Sequence, residues 1–181
     1  MRNYWPGWAR VAPLLAILEH LTATIRQFDR QLARLATTRY PVTAVLRQIP
    51  GVGPLTALTY VLTLEDPTRF RKSRMVGAYL GLRPKRRESG AQRPELSTTK
   101  AGDVFLRRHL VTAAQYILGP FGPDTDLRRW GLALAARGGR AAKKRTVVAV
   151  ARKLAVLLHR LWVTGEVYEP LGYQARAARV A

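Results

Sequence analysis

The chain has 181 residues, 31 Lys and Arg against 11 Asp and Glu, a formal charge of +20 and a pI near 11.5. An apolar content of 48% is that of a globular domain, and so strong a positive charge calls for a polyanionic partner, nucleic acid first and an acidic membrane surface second. The absence of cysteine excludes a disulfide framework and thiolate metal sites, which suits a reducing cytoplasm. No run of eighteen apolar residues occurs, and the start MRNYWPGWARVAP has neither the apolar core nor the cleavage site of a signal peptide. The expected setting is cytoplasmic and nucleoid-associated, with no membrane partner. His20, His109 and His159 lie far apart, so no metal site is expected from them.

Residues 1–13 are expected to be unstructured. After Pro13, residues Leu14, Leu18, Leu21, Ile25, Phe28, Leu32 and Leu35 alternate spacings of four and three, the a/d pattern of a coiled coil over 14–40. The positions between are mostly polar, among them Glu19, Arg26, Asp29, Arg30 and Arg34. Pairing with a second copy of the chain and an ordinary amphipathic helix lying on its own domain are both open.

Residues 42–62 read as an apolar helix, a tight turn at Pro50-Gly51-Val52-Gly53, and a second helix opened by Pro54. This is a helix-hairpin-helix pattern, placed at 42–64. Gly51 and Gly53 allow positive φ and close approach, so that amides of the hairpin and of the second helix's N-terminus can point at one phosphate, a contact that positions a duplex without reading its sequence. A purely structural turn is the other reading. Residues 65–71 predict a turn around Pro67, and Ser73 to Leu80 a short helix packed on the hairpin.

The segment from Arg83 to Thr99 is too polar to bury itself as helix or strand. Arg83, Lys85, Arg86, Arg87 and Arg93 surround Ser89, and Gly90 follows it. Ser89-Gly90 either makes a turn in a solvated basic loop or presents a hydroxyl nucleophile for phosphoryl transfer, with arginines spreading the transition-state charge. From Lys100 a helix is expected to reach about Leu118, with Lys100 and Arg107 on its first turns facing the loop as phosphate contacts. Asp124 is expected to cap a helix ending near Gly138-Gly139, and a last helix spans about Arg145 to Thr164. Residues 172–181 read as a flexible tail.

Taken in order, Gly51-Val52-Gly53, Phe70, Tyr79-Leu80-Gly81-Leu82, Pro84, Ser89-Gly90, Lys100, Gly102, Leu106-Arg107, Ala113-Ala114 and the closing Val147–Pro170 stretch resemble the C-terminal half of the insertion-sequence-110 family of transposases. The resemblance covers about Leu14 to Leu171. It implies an all-α fold, with a helical transposase domain at 41–171 behind the coiled-coil helix. It also implies a DNA recombinase guided by a structured RNA and working as an oligomer, with Ser89 forming a covalent link to a DNA phosphate. Gly51, Gly53, Arg86, Arg87, Gly90, Lys100 and Arg107 are the expected DNA contacts.

In that family the serine acts with an N-terminal RuvC-like domain whose four carboxylates hold magnesium. Thirteen residues without an acidic group precede Leu14 here, so no metal is expected to bind this chain; Mg2+ is expected only with that other half, and the chain is expected to be inactive alone. Asp103 stands where the family is expected to have asparagine. Two other classes compete: a non-catalytic helix-hairpin-helix module or transposase remnant, and an RNA-binding protein of the ribosomal sort whose basic loop folds on RNA.

Overall fold

A computed structural model of the chain describes residues 7–85, 97–139 and 141–172. Among these the fold has seven α-helices and no strand: α1 Gly7–Arg39, α2 Thr43–Leu46, α3 Pro54–Leu64, α4 Arg74–Tyr79, α5 Val104–Leu118, α6 Asp126–Ala136 and α7 Ala142–Thr164. A 3-10 turn, Pro67–Arg69, joins α3 to α4.

Helix α7 is the centre about which α2, α4, α5 and α6 assemble. Its face made of Val150, Ala151, Leu154, Ala155, Leu158 and Leu161 is buried, because apolar residues recur there every three or four positions. Alanines on that face let neighbouring helices come close. Tyr60 of α3 is wholly buried and its hydroxyl donates to the Ala155 carbonyl at 2.7 Å, so this buried polar atom is satisfied. Burial pushes the Tyr60 phenol well above its ordinary pKa.

His159 joins the 3-10 turn and α4 to the core. Its Nε2 lies 2.9 Å from the Pro67 carbonyl and its Nδ1 3.0 Å from the Ser73 hydroxyl. A carbonyl only accepts, so in the neutral ring Nε2 carries the hydrogen and Nδ1 accepts from Ser73. The Phe70 ring stacks edge-on against both His159 and Tyr79. Helix α4 therefore packs on α7, where the sequence suggested the hairpin.

Helix α1 behaves differently from the rest. At 33 residues it is about 50 Å long, and only its last turns, around Leu32, Ala33 and Ala36, reach the domain. It begins at Gly7 and runs through Pro13, upstream of the expected start at residue 14. Leu14, Leu18, Leu21, Ile25 and Phe28 are each at least half exposed. Among the described residues no helix is long and apolar enough to cross a membrane.

Three further helix starts differ from the sequence reading. Helix α5 begins at Val104, and Asp103 is its cap, accepting from the Leu106 amide at 2.6 Å; Lys100 precedes the helix, with φ of 56°. Helix α6 is capped by the Thr125 hydroxyl, which accepts from the Arg128 amide, while Asp124 pairs with Arg129. Arg129 holds the Asp124 carboxyl below its ordinary value. Helix α7 starts three residues earlier than expected, at Ala142.

Candidate nucleic-acid interface

The turn between α2 and α3 is built by its glycine and proline residues. Helix α2 is a single turn, prolonged by bonds from the Arg47 amide to the Thr43 carbonyl and from the Ile49 amide to the Leu46 carbonyl. Gly51 then takes φ of +87°, a conformation costly for any residue with a Cβ. A Cβ there would also meet Tyr116 Cδ1 at 2.9 Å and the Ala113 carbonyl at 3.3 Å, so Gly51 is where the turn touches α5. Gly53 does not share this role. It has φ of −82° and ψ of 175°, extended backbone, and nothing lies within 4 Å of the position of a Cβ. The positive φ that glycine allows is not used at Gly53, because a residue before proline is pushed to the extended region, and Pro54 follows.

Gly53 and Pro54 start α3, an eleven-residue helix. The first amides of a helix have no intrahelical acceptor, and those of Leu55 and Thr56 sit at the positive end of its dipole. They lie beside an open cleft of about 430 Å³ lined by Arg47, Gly51, Gly53, Thr56, His109 and Tyr116. His109 presents a ring edge-on to Phe105 at 4.4 Å, and its Nε2 is buried with no hydrogen-bond partner among the described residues. His109 was not legible as a residue of this cleft, because the α5 face that meets the turn is set by the contact with Gly51.

The second feature is the base of the Ser89 segment. Arg86, Arg87, Ser89 and Gly90 lie outside the described residues. On either side, the chain leaves and returns as a short antiparallel stem. The Lys85 amide donates to the Ser97 carbonyl at 2.9 Å, the Thr99 amide to Arg83 at 2.9 Å and the Lys100 amide to Gly81 at 3.1 Å, with a bridge pairing Pro84 and Thr98. Arg83 is half-buried; Lys85 and Lys100 are exposed on this stem.

Below the stem the two backbones cross at the distance of closest approach. Gly81 and Gly102 have φ of +67° and +77°; a Cβ on Gly81 would fall 2.1 Å from the Ala101 carbonyl oxygen, and one on Gly102 2.1 Å from that of Tyr79. Arg107, expected to face nucleic acid, reaches back across this crossing. Its Nη1 donates to the Leu80 carbonyl at 3.2 Å and the Ala101 carbonyl at 2.9 Å. The structure thus brings together Lys100, Arg107 and the stem, and separately Gly51 and Gly53 at the cleft.

Among the described residues no three His, Asp or Glu side chains gather where they could hold a metal ion.

Residues 43–126 match the family described as Transposase IS116/IS110/IS902 family. The chain is similar to the transposase for insertion sequence element IS1111A of Coxiella burnetii, 36% identical over 124 residues, which is 68% of this chain and 33% of that protein. It is 31% identical over 160 residues to a Sinorhizobium fredii protein named as the transposase y4pF/y4sB, covering 87% of this chain and 40% of that one. A Pseudomonas aeruginosa protein named as a family 20 transposase is 30% identical over 154 residues, 84% of this chain and 44% of that protein. The chain spans between a third and under half the length of these relatives. The stretch that folds from α2 to the start of α6 is thus an IS116/IS110/IS902 family transposase domain.

Proposed function

We propose that this chain is the DNA-binding C-terminal part of a transposase that cleaves and rejoins DNA through the hydroxyl of Ser89, acting together with a metal-binding RuvC-like half. The observation that carries this reading is the stem. The pairing of Gly81–Lys85 with Ser97–Lys100 makes the segment containing Ser89 leave and re-enter the fold at one point, flanked by Arg83, Lys85 and Lys100. A nucleophile needs such a rigid base, and its attack on phosphorus needs cations beside it.

In the proposed step Ser89 Oγ forms a bond to a DNA phosphorus, its proton passes to a base, and the bond from phosphorus to one sugar oxygen breaks. Attack by a second DNA end on the serine-linked phosphate reverses these changes and rejoins the strands. Arg83, Lys85, Arg86, Arg87 and Lys100 offset the charge on the phosphate oxygens. The Gly51–Gly53 turn and the first amides of α3 hold a neighbouring backbone phosphate, which anchors the duplex without reading its bases. No step is assigned to a metal held by this chain.

A structured guide RNA is the second polyanion in this reading. Homo-oligomer formation through α1 is the third element, supported by its row of exposed leucines. The test combines the chain with a separately expressed metal-binding half of a family transposase, guide RNA, duplex DNA and magnesium. A protein–DNA adduct that survives denaturation and is lost in Ser89→Ala is the expected result. Adduct formation by Ser89→Ala would remove the serine from the mechanism and leave a non-catalytic DNA-binding module.

A further inference from the structure

The guanidinium of Arg107 is turned toward backbone at the crossing beneath the stem. One amino group, Nη1, bridges two carbonyls: that of Leu80, where the chain departs from α4, and that of Ala101, where it returns toward α5. These carbonyls are 21 residues apart in sequence (101 − 80), and each belongs to one foot of the stem. Both backbones need glycine to come so close, at Gly81 and Gly102, and between them Lys100 is held with φ of +56°. A non-glycine residue persists in that region only when its surroundings over-determine it. Asp103 fixes the other side of the return by capping α5, the helix that carries Arg107 one turn further on. One charged group therefore ties α4, the stem and α5 at a single point.

We propose that Arg107 is a positioning residue for the serine segment, acting by clasping the two feet of the stem rather than by contacting DNA. This rests on the serine reading above for its catalytic consequence. The clasp itself rests on the described geometry alone. A charge-assisted bond to each foot holds the Lys85, Thr99 and Lys100 amide bonds in register.

The experiment compares wild type, Arg107→Ala and Arg107→Lys in three readouts. The first is amide hydrogen exchange at Lys85, Thr99 and Lys100, in the chain without DNA. The second is duplex affinity as a function of salt. The third is the rate of adduct formation at saturating DNA in the reconstituted mixture. Arg107→Ala is expected to speed exchange at the three stem amides at least tenfold while amides of α7 keep their protection. The salt slope of binding should stay unchanged, and the adduct rate should fall tenfold or more at saturating DNA. Arg107→Lys, which keeps the charge on a side chain one bond shorter, should show the same pattern more weakly, and it carries the test if Arg107→Ala does not fold.

Unchanged exchange at the stem amides overturns the clasp. So does a salt slope smaller by about one phosphate contact, the signature of a cation that touches DNA. A wild-type mixture that forms no adduct overturns the serine reading and the catalytic consequence, and the exchange and salt readouts still decide the clasp.

Discussion

Gly51 and Gly53 stand two residues apart in one turn, and the structure separates their roles sharply enough to test. Alanine at Gly51 must adopt φ near +87°, at about 1–2 kcal/mol, and its Cβ must displace the Tyr116 ring from 2.9 Å. Together these amount to roughly 2–3 kcal/mol, a fall in Tm of about 5–10 °C for a chain of this size. Alanine at Gly53 meets nothing within 4 Å and keeps an ordinary φ of −82°, so stability should change by no more than about 0.5 kcal/mol. Its methyl group does enter the mouth of the cleft, where a phosphate would approach the amides of α3. Losing one charge-assisted bond there costs about 1.5–3 kcal/mol, roughly ten- to a hundredfold in Kd. Because no cation is removed, the slope of affinity against salt should be that of wild type. Thermal melts and fluorescence anisotropy with a duplex at several salt concentrations measure both effects. If Gly53→Ala melts as low as Gly51→Ala, the assignment of conformational roles is wrong; if it is stable and binds as tightly as wild type, the turn is not the phosphate site.

Leu18→Glu together with Ile25→Glu should leave the Tm of the domain within about 2 °C, since both side chains are more than half exposed on α1. The same pair should convert an oligomer into a monomer in sedimentation velocity; wild type that is already monomeric at tens of micromolar would rule out pairing through this helix. Acid stability gives another check. The carboxyls of Asp66, bonded by Thr68, and Asp124, bonded by Arg129, are held below their ordinary values. Such groups bind protons more readily when unfolded. Their stabilisation is present above the unfolded carboxylate pKa of about 3.9 and is lost as pH falls through the lower folded values. The Tm of wild type should therefore drop more steeply below about pH 4 than that of Asp124→Asn, and parallel curves would contradict it.

The all-α architecture was legible because apolar periodicity and proline mark it: Pro54 opens α3, and the 3.6-residue stripe of α7 needs a hydrophobic partner on one side. The errors sit at helix starts and at backbone pairings. Lys100 lies outside the helix expected to start with it, because the cap signal three residues later, Asp103, decides where α5 begins. Thr125 outcompeted Asp124 for the α6 cap because Asp124 has an arginine, Arg129, in reach. The stem was invisible because Gly81–Lys85 and Ser97–Lys100 pair through backbone amides and carry no alternating apolar pattern. Likewise, nothing in the sequence distinguishes an arginine aimed at phosphate from one aimed at two carbonyls. Arg107 finds its acceptors 6 and 27 residues away, and only the fold brings them together.

Helix α1 stands clear of the domain for most of its 33 residues. Two chains joined along it would carry a pair of strongly cationic heads on one shaft, each able to grip its own stretch of duplex. Once the first head is engaged, the second samples nearby DNA at an effective concentration set by the shaft and not by the bulk solution. Bringing two separate sites into one complex would then be a matter of leverage, achieved with no additional contact to either duplex.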